Sequence, residues 1–300
     1  MNRLDKRDGN PVVKTIIYIV CIILALLSIF PFVVMVINST RSTFQVQQHA
    51  ISLIPSSHLL DNFKVFQGKP FNPTRGFMNS MIIAVGATVC TVYFSTLTAY
   101  ALVAYEWKLR NAFFTFVLCV MMIPAQVTAI GFYQFMYKIH MTNNFLALII
   151  PNLLFSPFNM FLVRNYMDGL PDSLRESATL DGANDITICF RIYLPLSIPA
   201  LATITLFYGL AYWNDWFNAI MLVDDSKLYP LQYLLLELRS QIQMIRDMQS
   251  IMGGMGSGTK APSESLKMAT SIVTIGPIVL LYPLLQRYFV KGLIVGAVKE

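Results

Sequence analysis

PDSLRESATLDGANDITICFRIYLP, residues 171–195, is a short polar stretch rich in small residues, set between two long apolar runs at 145–163 and 196–222. Pro171 suits a first helical turn, and Asp172 beside it favours the positive end of a helix. Leu174 and Ala178 share a face at i, i+4. Gly182 is placed just past a helix end. Asn184 or Asp185 can cap a second helix, on which Ile188 and Ile192 share a face and which Pro195 ends. A helix–turn–helix of soluble character between two membrane spans suits docking onto a soluble partner. Ser177, Ala178, Gly182 and Ala183 are small enough for another backbone to come close. An ordinary amphipathic surface helix has the same pattern, and spacing alone does not separate the two.

The flanking composition places the stretch in a membrane chain. Of 300 residues, 55% are hydrophobic and 13% charged, against roughly 25% charged in soluble domains. Six apolar runs are long enough to cross a bilayer: 15–37, 78–104, 112–137, 145–163, 196–222 and 268–288. Backbone groups in lipid must be satisfied within the chain, so runs of this length predict helices. The expectation is one all-α polytopic domain over 1–300, with six transmembrane helices and a cytoplasmic coupling helix within the loop 164–195. Pro124, Pro151, Pro157, Pro277 and Pro283 predict kinks in spans three, four and six. Lys and Arg favour the N-terminus, 105–111, 164–195 and the tail after 286, which puts both termini and the 164–195 loop in the cytoplasm. On the other side, 38–77 reads as ordered surface. Residues 230–251 form a candidate outer helix leading to the glycine-rich tip 253–260.

Several chemistries lack support. Cys21, Cys90, Cys119 and Cys189 have neither CxxC nor metal-ligand spacing and read as small packing residues. No His/Cys/Asp cluster predicts a metal, no nucleophile–base pair predicts catalysis, and the scattered basic residues form no stripe for nucleic acid. Gly258-Thr259-Lys260 has the wrong order for a P-loop. The run 15–37 is too long for a signal-peptide core and is expected to stay as a span.

Glu176-Ser177-Ala178, then Asp181-Gly182-Ala183, then Ile192-x-Leu194-Pro195 resembles the EAA loop of ABC-importer permeases. Ser177 stands where the common pattern has its first alanine. PFNMFLVRNYMDGLPDSLRESA and the ending LLQRYFVKGLIVGAVKE are similar to the MalG-like permease subunits of maltose-type carbohydrate importers. That resemblance implies a non-enzymatic transport subunit in a bacterial inner membrane, moving a sugar or oligosaccharide by alternating access. The implied partners are a second permease, two ATPase subunits that bind ATP and Mg, and an extracytoplasmic sugar-binding protein. It also implies that Glu176, Ser177, Ala178, Asp181, Gly182, Ala183, Leu194 and Pro195 couple to the ATPases. The tail 295–300 would reach between the ATPases, and Gly253, Gly254, Met255 and Gly256 would contact the binding protein. An importer for another small solute and an ion-driven secondary transporter stay open as alternatives.

Trp213-Asn214-Asp215-Trp216 lies late in the fifth run. An acid among aromatics suits a sugar pathway, and it equally suits an interfacial aromatic belt. Tyr100, Tyr105 and Trp107, closing the second run, read as belt.

Overall fold

The computed structural model describes residues 11–65, 72–154, 156–251, 268–276 and 279, and every regular element among them is helical. The chain divides into two compact units, residues 1–71 with 238–273 and residues 72–237 with 274–300.

In the first unit, α1 (Pro11–Ser39) covers the first predicted span, and its residues 11–33 are exposed throughout. That apolar surface requires lipid or another membrane chain to cover it. The segment after α1 is ordered by polar contacts, as expected for 38–77. Ser42 and Gln45 form a reciprocal capping box at the start of α2 (Thr43–Gln48). Buried Arg41 donates to Asn38 Oδ1 and to the His49 and Gln45 carbonyls at 2.7–2.9 Å. Asn62 in α3 (Leu59–Val65) donates back to the Ser39 and Arg41 carbonyls.

The second unit is built around α4 (Pro73–Ala104), whose start is capped by Asn72 with Pro73 at the first helical position. Ala84, Ala87, Thr88, Thr91, Ser95 and Ala99 line its buried side at three- and four-residue spacing. Small residues let neighbouring helices approach closely. Those neighbours are α7 (Phe145–Leu154), α8 (Pro157–Asp168) and α12 (Ile198–Trp213). The Thr91 and Tyr212 hydroxyls, 3.0 Å apart, tie α4 to α12.

Three expected spans are divided rather than merely kinked. The run 112–137 is α5 (Arg110–Met121) and α6 (Ala125–Lys138), bent by 103°. Pro124 lacks an N–H and pushes Ile123 out of helical geometry, so the last turn tightens and stops. The run 145–163 breaks before Pro157, which starts α8. The run 196–222 breaks at Asn214–Trp216, between α12 and α13 (Phe217–Leu222). Among the described residues, α1 and α4 alone are each long and apolar enough to cross a membrane. The α5–α6 pair passes only as a bent unit, as do residues 185–196 with α12, bent by 74°. The sixth run is helical over 268–276, and the rest of it, apart from residue 279, lies outside the described residues. The candidate helix over 230–251 is present as α14 (Leu231–Ile251).

Hydrogen bonds gather the connections of this second unit at two opposite ends of α4. At its start, Asn79 Nδ2 donates to the Lys227 and Tyr229 carbonyls, and Ser80 Oγ accepts from Leu231 N–H. Asn143 N–H donates to the Leu222 carbonyl, joining the 139–144 turn to the same region. At the other end, Arg175 meets Ala104.

Candidate functional site

The 171–195 stretch folds into a compact element anchored on the last turns of α4. Its first helix is α9 (Ser173–Leu180). Arg175 Nη1 donates to the Ala104 carbonyl at 2.7 Å, meeting one of the acceptors that a helix end leaves unpaired. Gly182 then turns the chain with φ +81°, a left-handed conformation open to glycine at little cost. Asn184 caps α10 (Asp185–Ile188), its side chain accepting from Thr187 N–H at 2.8 Å.

After α10 the helix widens to a π-turn over Cys189–Tyr193 and closes with α11 (Leu194–Leu196). A proline clashes with the carbonyl four residues earlier and leaves it without a partner. The wider turn before Pro195 accommodates this, with Leu194 N–H reaching back to the Cys189 carbonyl. The sequence places the helix end at Pro195, whereas the break falls at Ser197.

The inner face of this element is a true core. Ala178, Ile188, Cys189 and Tyr193 are buried with Ala99, Tyr100, Ala104, Val163, Met167 and Ile204. Tyr100 meets Tyr193 edge-on at 5.2 Å. Tyr100 is therefore an internal packing residue, a correction to its reading as an interfacial belt. Ala178 likewise packs inside its own chain. Cys189, the cysteine of the polar stretch, is the buried one, and burial raises its thiol above the usual range and keeps it unreactive. Beside it, the Asp185 carboxylate is the hydrogen-bond partner that, ahead of burial, raises the Tyr105 hydroxyl.

The outer face is different. Glu176, Ser177, Asp181, Gly182 and Pro195 are exposed, while Ala183 and Leu194 are half-buried. Leu180 is 89% exposed and Ile186 71%. These two flank the Gly182 turn and are the most exposed large apolar side chains of the element, ahead of Leu174 and Phe190 at about 40%. Sequence reasoning singled out neither; the signal available was that both fall outside the Leu174/Ala178 and Ile188/Ile192 stripes.

The Trp213–Trp216 group separates into two roles. Trp213 is buried, donates Nε1 to the Thr274 carbonyl at 2.9 Å and meets Phe77 edge-on at 5.6 Å. It packs helices together and, unlike the other three residues of the group, does not border the cavity described below. Asn214 Nδ2 donates to the Leu210 carbonyl where α12 stops. Asp215 accepts from the Asn218 N–H at 3.1 Å and from its Nδ2 at 2.7 Å, restarting the chain as α13. Asn214, Asp215 and Trp216 border an open cavity of about 650 Å3 together with Gln126, Tyr208 and Asn218. A broken helix at membrane depth is stable where its freed polar groups face a cavity or the protein interior. Gln126, Tyr208 and Asn218 were not legible as site residues, because they reach this cavity from different turns and helices. The expected binding-protein contacts Gly253, Gly254, Met255 and Gly256, and the tail 295–300, lie outside the described residues.

Known proteins align with this architecture from end to end. The family model described as "binding-protein-dependent transport system inner membrane component" matches residues 91–295, which include both the 171–195 element and the Asn214–Trp216 break. The polygalacturonan/rhamnogalacturonan transport system permease protein YtcP of Bacillus subtilis is 32% identical over 97% of this chain and 99% of its own. The arabinooligosaccharides transport system permease protein AraQ of Halalkalibacterium halodurans is 31% identical over 98% and 99%. A solved bacterial ABC transporter involved in the import of the acidic polysaccharide alginate superposes with TM-score 0.76 at 26% identity, covering 96% of this chain and all of that one. An all-helical body with divided apolar spans, a packed polar element between two of them and a match over most of its length make this chain a member of the binding-protein-dependent transport system inner membrane components, the permeases of ABC importers.

Proposed function

We propose that this chain is one permease half of an importer that moves an oligosaccharide across a bacterial cytoplasmic membrane, coupled to ATP hydrolysis through the 171–195 element. The observation that carries the coupling role is the pairing of a buried inner face with an outer face holding exposed Leu180 and Ile186. Packing against α4 makes the element rigid enough to transmit movement, and the exposed apolar pair gives a soluble partner something to bury. Six spans, cytoplasmic termini and a cytoplasmic 171–195 element complete the proposed topology; the Lys/Arg distribution and the gathering of alternate connections at opposite ends of α4 support it. The other partners in this reading are a second permease, two ATPase subunits holding ATP and Mg, and an extracytoplasmic binding protein. The names of the relatives support a saccharide as cargo, and the amide and aromatic lining of the cavity suits hydroxyls and apolar sugar faces. Membership in an ATP-coupled family sets aside an ion-driven exchanger.

Cysteines placed at Leu180 and Ile186 of the assembled complex test the coupling role. Disulfide or short-linker capture of the ATPase subunit is expected at both. An assembled complex giving capture at neither would remove it. Uptake of labelled oligosaccharides into proteoliposomes bearing the whole complex tests the cargo.

A further inference from the structure

The cavity at the α12–α13 break carries a fixed negative charge. Asp215 is half-buried and oriented by its two hydrogen bonds from Asn218, so its carboxylate cannot swing freely away from the cavity it borders. The other polar groups there, Asn214, Gln126 and Asn218, are neutral amides, and Tyr208 and Trp216 add aromatic surface. Among the described residues, no lysine, arginine or histidine lines this cavity. Amides offer paired donors and acceptors to sugar hydroxyls, and rings accept the apolar face of a pyranose or furanose. A uronate oligomer differs by one carboxylate on each sugar. Two like unit charges near contact in water shift occupancy roughly fivefold, and more where protein walls lower the dielectric.

We propose that this cavity admits uncharged oligosaccharides and turns away uronate oligomers, with Asp215 as the residue that sets the charge preference. The proposal rests on the reading of the chain as a saccharide permease and narrows the cargo within it. Relatives of similar identity carry names of both kinds, galacturonan and alginate on one side and arabinooligosaccharides on the other. Overall likeness therefore does not decide the charge class, and the cavity lining does.

Two measurements on the complete importer, in nanodiscs and in proteoliposomes, decide it. In the first, Gln126→Cys is introduced in a background lacking the exposed Cys21 and Cys119. Its reaction rate is measured with a cationic and an anionic methanethiosulfonate of similar size. Asp215→Asn is expected to lower the rate of the cationic reagent and raise that of the anionic one, each by up to about fivefold, so that the cation-to-anion rate ratio falls by up to roughly 25-fold; an unchanged ratio overturns the proposal. In the second, uptake of arabino-oligosaccharide and of galacturonide of equal length is compared, each with a binding protein that captures it. Uptake of the neutral sugar, with galacturonide excluded until Asp215 is replaced by Asn, supports it. Equal uptake of both by the unaltered importer overturns it. If neither sugar is moved, the saccharide reading itself fails, while the rate ratio still reports the charge preference of the cavity.

Discussion

Arg175 and Ala104 stand 71 residues apart in sequence and 2.7 Å apart in space, a guanidinium nitrogen donating to the last-turn carbonyl of α4. This bond joins the 171–195 element to α4, the longest helix described in the second unit, which in turn packs on α7, α8 and α12. A push on α9 therefore reaches the centre of that unit through a short, stiff path.

Replacing Arg175 with Ala is expected to lower saccharide-stimulated ATPase activity and uptake together, by roughly fivefold, as for loss of one hydrogen bond worth about 1 kcal/mol. Lys restores part of this, because an ammonium still donates to the carbonyl. Faster hydrogen exchange across 173–180 in the Ala variant checks that the loss is local loosening.

Gly182 answers to backbone geometry and not to space. Its φ is +81°, and a Cβ there would meet nothing within 4 Å. Gly182→Val is expected to cost about 1–2 kcal/mol locally and to uncouple ATP hydrolysis from uptake while the membrane helices stay folded. Asn, which tolerates the left-handed region, is expected to be milder. Equal behaviour of Val and Gly in coupled transport would remove this account.

On the opposite end, Asn143 organises the chain after α13. Its side-chain oxygen accepts from Asp224 and Asp225 N–H at 3.2 and 2.8 Å, and its own φ of 60° suits asparagine. Asn143→Ala should speed amide exchange at Asp224 and Asp225 by roughly fivefold for about 1 kcal/mol lost. Asn143→Asp, which keeps the acceptor, should restore protection.

Tyr229 provides a titration. Burial, with Tyr233 beside it and the acids Glu237 and Asp224 nearby, pushes its hydroxyl up to about 12, and that hydroxyl donates to the Asp224 carbonyl. The raised value means that the neutral form is favoured when folded. Its contribution is present below pH 10 and is lost as pH rises from 10 through 12. Phenolate absorbance should show a late-ionising tyrosine that Tyr229→Phe removes. A titration complete by pH 10.5 would refute the assignment.

Much of this was readable along the chain. The apolar runs set helices because lipid leaves the backbone no other partner, and α1 and α4 match their runs closely. The capping residue Asn184, the turn at Gly182 and the helix α14 followed from local rules that act over a few residues. The division of 196–222 was harder to see. Asn214 and Asp215 are weak helix formers inside an apolar run, yet whether they bend or break it depends on where their side chains find partners, here Leu210 and Asn218.

Sequence by itself determined the class of the protein, the helical content and the placement of the polar 171–195 element between apolar spans, because hydropathy, proline and glycine act locally. Tertiary structure alone decided which side chains face inward. Trp213 and Tyr100 belong to packed interiors, Cys189 is shielded, and Leu180 with Ile186 is left uncovered. It also joined Arg175 to Ala104, and drew Gln126, Tyr208 and Asn218 to the cavity beside Asp215. The reason is physical: a side chain's role depends on the neighbours brought to it by helices far away in sequence, and hydropathy along one segment does not record which helix will lie against which face.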